Sequence, residues 1–249
     1  MESDSSKPQL WYSSSRIELK ETGLGFYDPN RFDWAAEVEA NWESIEAEVT
    51  KFIQNHQSLI QPYFNTSMVL GKNKWSAFGF RFWLWGLNKN ARECPNTMRI
   101  LSRIPHLVSA SVSLIGPNTE IKEHRGDTNA IYRCHLGLKI PEGLPNCGFA
   151  VAGEEKAWHE GKLLIFNDAA KHRAWNHSDS TRYVLLFDVI RPEFVPKKYT
   201  ICSRVLAGIR MQMIRRKRPF IDKSPLFIRR IIATSNRILI YLILRLRNL

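Results

Sequence analysis

The sequence predicts a mainly β domain, an antiparallel sandwich or barrel with flanking helices and a basic helical appendage at its C-terminal end. Three observations lead there. Segments 107–115, 130–140, 148–152, 162–166 and 182–190 are short, rich in β-branched or aromatic residues, and divided by Gly, Pro, Asn or Asp. One amphipathic helical pattern precedes them, and beyond Pro196 the chain turns basic and helical. Several short strands at this spacing close into a sandwich or barrel.

Residues 1–30 lack sustained periodicity and carry Ser, Gly and Pro, the composition of a loosely ordered lead-in. Trp34, Val38, Trp42, Ile45, Val49 and Phe52 then recur every three or four residues, with Glu37, Glu39, Glu43, Glu46 and Glu48 between them. That spacing predicts a helix laying one apolar face on a larger body. The run 75–85 is aromatic, with Arg81 its sole charge, and reads as extended structure. Residues 31–196 are therefore expected to form one domain, and 197–249 a basic amphipathic helical tail. At 249 residues the chain can bury a full core, and 44% hydrophobic content with eight Trp excludes wholesale disorder.

Cys94, Cys134, Cys147 and Cys202 are far apart and form no CxxC pair, which excludes a zinc ribbon or disulfide scaffold and fits a reducing compartment. The first sixteen residues are polar, with Glu2 and Asp4 where an export signal carries bases, so a cytoplasmic location is expected. Net charge is +12, but twelve Lys or Arg lie within 201–249 against one acid, Asp222, leaving 24 bases and 23 acids before them. The tail's longest apolar run, 238–244, is seven residues, and Arg229, Arg230, Arg237, Arg245 and Arg247 interrupt the rest. That is too short to span a bilayer. It predicts peripheral contact with a membrane surface through 201–249, with packing on the barrel as the competing account. So much aliphatic content disfavours nucleic acid.

Among seven histidines, two stand in a context suited to a transition metal. His124 opens His124-Arg125-Gly126-Asp127-Thr128-Asn129 just ahead of a strand, and His172 follows Phe166-Asn167-Asp168 at the end of another. Arg182 lies ten residues beyond His172. A hairpin between them would bring a guanidinium back beside the second histidine, facing the same interior. Arg133 and His135 share one strand face with Ile131, and two inward polar residues require a buried partner.

The words around these residues are more specific than their spacing. Glu123-His124-Arg125-Gly126-Asp127-Thr128-Asn129, Arg133-Cys134-His135-Leu136-Gly137-Leu138, Trp158-His159-Glu160-Gly161-Lys162, Phe166-Asn167-Asp168, Trp175-Asn176 and Phe187-Asp188-Val189-Ile190-Arg191-Pro192 resemble the aspartyl/asparaginyl β-hydroxylase family, which includes lipid A 2-hydroxylase-like proteins. The resemblance runs from about residue 32 to 194. It implies a double-stranded β-helix, or jelly-roll, core. It also implies an oxygenase using Fe(II), 2-oxoglutarate and O2 to hydroxylate an unactivated carbon of a lipid acyl chain or an aspartyl/asparaginyl-type substrate, with succinate and CO2 as co-products. His124 and His172 would ligate the metal and Arg182 would pair with the far carboxylate of 2-oxoglutarate, assisted by Ser113. His135 would meet the carboxylate next to the keto group, with Arg133 beside it.

Gly126 stands where the commonest oxygenase motif, His-x-Asp/Glu, has its carboxylate. Animal aspartyl hydroxylases share that glycine, whereas lipid A hydroxylases carry an aspartate. Asp127 either reaches the metal or stabilises its own turn, and Asp168 either accepts from a ligand imidazole or serves a turn. Trp158, Trp175 and Phe187 read as core. The alternative to an enzyme is a catalytically inactive jelly-roll binding module at a membrane surface. Small-molecule, lipid and peptide substrates all remain open.

Overall fold

The computed structural model describes residues 9–15, 19, 25–63, 65–70 and 74–247. Two antiparallel sheets face each other. The strands that build them are β1 (Trp75–Phe82), β2 (Leu107–Ile115), β3 (Thr119–His124), β4 (Ile131–Lys139), β5 (Cys147–Val151), β6 (Glu154–Lys156), β7 (Leu163–Asn167), β8 (His172–Asn176) and β9 (Arg182–Ile190). The larger sheet runs β7-β4-β9-β2-β1 and the smaller β6-β5-β8-β3, with short strands at their edges. Successive strands therefore alternate between sheets along much of the chain, which is the double-stranded β-helix that was expected.

Period-2 alternation gives the larger sheet two different faces. Ala110, Val112, Leu114, Cys134, Leu136, Leu138, Leu163, Ile165, Leu185 and Phe187 point outward and are buried beneath helices. The helix α1 (Trp42–Asn55) buries Ile45, Val49 and Phe52 there, and α2 (Pro95–Ser102) buries Ile100 and Leu101. Glu48 of α1 accepts from the backbone N–H of Asn96 (2.9 Å) and Thr97 (2.7 Å), so a carboxylate from one helix caps the start of the other.

The helical pattern from Trp34 onward proves to be two pieces, Ala35–Ala40 and α1. Asn41 divides them, because its side-chain amide donates to Glu37 O (2.8 Å) and competes with helical continuation. The expectation of a lead-in over 1–30 lies in good part outside the described residues. Of those described, Trp11 and Tyr12 are buried, and Phe26–Tyr27 pairs with β7.

Two helices follow the barrel, α3 (Lys198–Lys217) and α4 (Leu226–Arg247), as an antiparallel hairpin. Ile201, Cys202, Val205 and Ile209 of α3 and Ile240 and Leu244 of α4 join Val108, Ile131, Ile190 and Phe194 in one apolar cluster. Among the described residues, no helix is long and apolar enough to cross a membrane.

Candidate active site

His124 ends β3 and His172 begins β8, and the register sets them directly opposite one another, with ring centroids 4.2 Å apart. Each ring uses Nδ1 on a carbonyl two residues back, His124 on Lys122 O (2.8 Å) and His172 on Ala170 O (2.9 Å). A carbonyl only accepts, so Nδ1 carries the proton and Nε2 keeps a free lone pair. Burial lowers the pKa of His124, and that of His172 well below the usual imidazole value, so both rings stay neutral. Neutral imidazoles with open Nε2 atoms are what a divalent transition metal binds.

Across the barrel, the inner face of the larger sheet carries Ser109, Ser111, Ser113, Arg133, His135, Arg182, Leu186 and Asp188, all lining one cavity. Val184 lies opposite Ser113, so Ser113 and Arg182 sit diagonally on the same face. Arg182 lines the same cavity as the two histidines, but not through a hairpin. β8 and β9 belong to opposite sheets, and the guanidinium approaches from the facing wall. It is 2% exposed, its Nε and Nη1 have no partner, and its face rests 4.0 Å from the Trp158 ring. Burial draws it down to about 9, still cationic at neutral pH.

His135 is buried, and Trp158 Nε1 donates to its Nδ1 (3.3 Å). The indole is only a donor, so the His135 proton sits on Nε2, which has no partner. Burial and then Arg182 keep this ring well below the usual pKa, hence neutral. Ser113 Oγ accepts from Trp75 Nε1 (3.0 Å), and its hydroxyl proton remains available. Arg182, His135 and Ser113 thus turn donors toward one space, an arrangement suited to an anion.

Arg133 lines the same cavity, but its guanidinium is engaged. Nε and Nη2 donate to the two oxygens of Asp188 (2.8 and 3.0 Å), and Nη1 lies 2.6 Å from Asp168 Oδ1. The two acids are the buried partners that an inward Arg133 demanded. Asp168 Oδ1 is also 3.8 Å from His172 Nε2, and neither carboxylate oxygen has a hydrogen-bond partner, the Arg133 contact being an ion pair. Burial pushes its carboxyl above the usual carboxylate range, against the opposing pull of Arg133.

A Cβ built on Gly126 would overlap the Asp168 carboxylate, so the acid from the β7–β8 turn fills the space a side chain at 126 would take. Gly126→Ala is expected to lower stability by about 1–3 kcal/mol, and to cost clearly less in an Asp168→Gly background. Thermal melts of the four proteins measure that coupling. Asp127, its pKa raised by burial, lines the cavity as well. Among the described residues, no group of three or more His, Cys, Asp or Glu side chains gathers as a metal cage; His124 and His172 stand as a pair, with Asp168 ion-paired to Arg133 nearby.

The cavity is about 390 Å³. Its lining is polar around the histidines and Arg182, and apolar where Phe82, Leu87, Ile209 and Met213 contribute. Four contributors were not anticipated in these roles. Asp188 was recoverable, because it continues the two-residue spacing of Arg182 along an inward face. Trp158 was placed in the core, where it is, but it also orients Arg182 and His135. Nothing in local sequence marks Ile209 and Met213 as cavity wall.

Residues 39–192 match the profile of the aspartyl/asparaginyl beta-hydroxylase family. An ornithine lipid ester-linked acyl 2-hydroxylase of Rhizobium tropici is 35% identical over 191 residues, covering 74% of this chain and 67% of the relative. The human aspartyl/asparaginyl beta-hydroxylase is 31% identical over 199 residues, 77% of this chain but only 24% of that longer protein. A Pseudomonas putida prolyl-4-hydroxylase structure superposes with a TM-score of 0.44 at 13% identity, covering 61% of this chain and 87% of the other.

Proposed function

The chain belongs to the aspartyl/asparaginyl beta-hydroxylase family, and from that membership we propose that it is an Fe(II)- and 2-oxoglutarate-dependent dioxygenase that hydroxylates an unactivated carbon of a lipid acyl chain. The carrying observation is a pair of neutral imidazoles with open Nε2 atoms facing a buried guanidinium that has no anion of its own. A buried charge left unpaired costs several kcal/mol unless a ligand supplies its partner. A dicarboxylate does so.

Bound iron and 2-oxoglutarate would supply the power to oxidise a C–H bond with O2, releasing succinate and CO2. The residues would do the rest. His124 and His172 would hold the metal through Nε2, with Asp168, ion-paired to Arg133, filling the space that Gly126 leaves beside them. Arg182 takes the far carboxylate of the cosubstrate, with the Ser113 hydroxyl donating to the same group. His135 Nε2–H donates to the carboxylate next to the keto carbon. Trp158 holds Arg182 and His135 in place from behind. Arg133 is assigned to positioning rather than to the cosubstrate, because its donors are spent on Asp168 and Asp188.

The apolar part of the lining favours an alkyl chain over a charged peptide, and the Rhizobium relative is named for work on such a chain. Incubation with candidate lipids and peptides followed by mass spectrometry tests this. A gain of one oxygen confined to peptide would rule out the lipid. Under anaerobic conditions, Fe(II) plus 2-oxoglutarate is expected to give a weak visible charge-transfer band, with succinate released on adding O2. No band and no succinate would instead indicate an inactive binding module. His124→Ala and His172→Ala are each expected to abolish the band and to cut succinate release by about a thousand-fold or more.

A further inference from the structure

Building on the lipid reading of the site, we propose that the α3–α4 hairpin and the adjoining turn at residues 82–85 form a docking surface for an anionic bilayer, with the cavity mouth opening at the membrane interface.

The first support is an apolar stripe left exposed among the described residues. One face of α4 buries Ile240 and Leu244 on the barrel side. On the opposite face, Phe227, Ile231, Ile238, Leu242 and Leu246 are each more than half exposed. Spaced by four or seven residues, they form one continuous line along the helix. The line spans about 28 Å at the α-helical rise. An exposed aliphatic stripe of that length calls for a partner.

Charge identifies the partner. α4 contains five Arg and no acid, and α3 ends on Arg215, Arg216 and Lys217 with Arg218 as its C-cap, all exposed. Arg230 and Arg237 are exposed and, by helical spacing, lie on the flank of α4 between the apolar stripe and the side that packs on the barrel. Exposed aliphatic side chains on a helix that carries arginines and no acid match acyl chains beneath anionic headgroups. The interruptions that keep α4 from crossing a bilayer suit a helix lying in its plane.

The surface also runs into the cavity. Ile209 and Met213 of α3 form part of its apolar lining, although the hairpin lies beyond residues 39–192 of the family match. Phe82 lines the same mouth and pairs with Trp85, and Arg247 of α4 stacks over the Trp85 ring at 4.4 Å. Hairpin and mouth therefore share one rim. A chain leaving the bilayer there meets apolar side chains before it meets the histidines.

Co-sedimentation of the full chain with vesicles tests the surface without any turnover. Binding to phosphatidylcholine vesicles containing about one third phosphatidylglycerol is expected to be about ten-fold or more tighter than to phosphatidylcholine alone, and to weaken as salt rises. The exposed triple variant Phe227→Ser/Ile238→Ser/Leu242→Ser should lose about ten-fold or more of that binding, and Arg230→Gln/Arg237→Gln several-fold, both with unchanged melting temperature. Wild-type protein that ignores anionic vesicles, or a triple variant that binds like wild type, overturns the proposal. So does a dimer in sedimentation equilibrium that the triple variant dissociates, since a second copy would then cover the stripe. Vesicle binding without succinate release would sink the hydroxylase reading and leave the surface standing.

Discussion

Arg182→Met is expected to weaken 2-oxoglutarate binding by about 100-fold or more while leaving the melting temperature unchanged or raising it. The two halves of that result come from one fact. In the free protein, the Arg182 guanidinium is buried with two nitrogens unpartnered and only the Trp158 face for company. Removing it takes away an uncompensated charge and leaves an apolar chain of similar reach, a change that is neutral or stabilising in such settings. In the complex, the same removal strips a carboxylate of its counter-charge, which costs about 3 kcal/mol or more. Isothermal titration of the Fe(II)-loaded protein and a thermal melt read the two quantities separately. A structural role for Arg182 would make both fall together.

Arg133→Met is expected to behave in the opposite way, lowering stability by about 3–5 kcal/mol before any question of catalysis arises. Arg133 bridges Asp188 and Asp168, both essentially inaccessible, and its loss leaves two buried carboxylates close together. Arg133→Lys should recover part of the loss, because an ammonium cannot keep both bonds to Asp188 and also reach Asp168. Denaturant unfolding of the three proteins checks the order. An Arg133→Met protein as stable as wild type would show that the bridge contributes nothing.

Five strands were legible because their residues declare themselves. Runs such as 107–115 and 182–190 are β-branched, apolar and bounded by turn residues, and they form β2 and β9 with the bounds expected. The strands that carry the two histidines leave no such mark in the sequence. Thr119–His124 is mostly polar and His172–Asn176 is five residues long, so neither alternates long enough to be distinguished from a loop. His124 and His172 therefore seemed to flank strands, whereas they sit within them and pair across.

Local chemistry was sufficient to name the imidazoles, the guanidinium and the inward strand face that carries Arg133 and His135, since residue type and a two-residue period are properties of short segments. Facing relations were not available at that range. Asp168 reaching into the gap left by Gly126, Arg182 arriving from the opposite sheet, and Ile209 and Met213 walling the cavity all join positions far apart in the chain. Those contacts follow from which sheet each strand enters and where the hairpin packs, choices made by burial of the whole molecule rather than by any stretch of it.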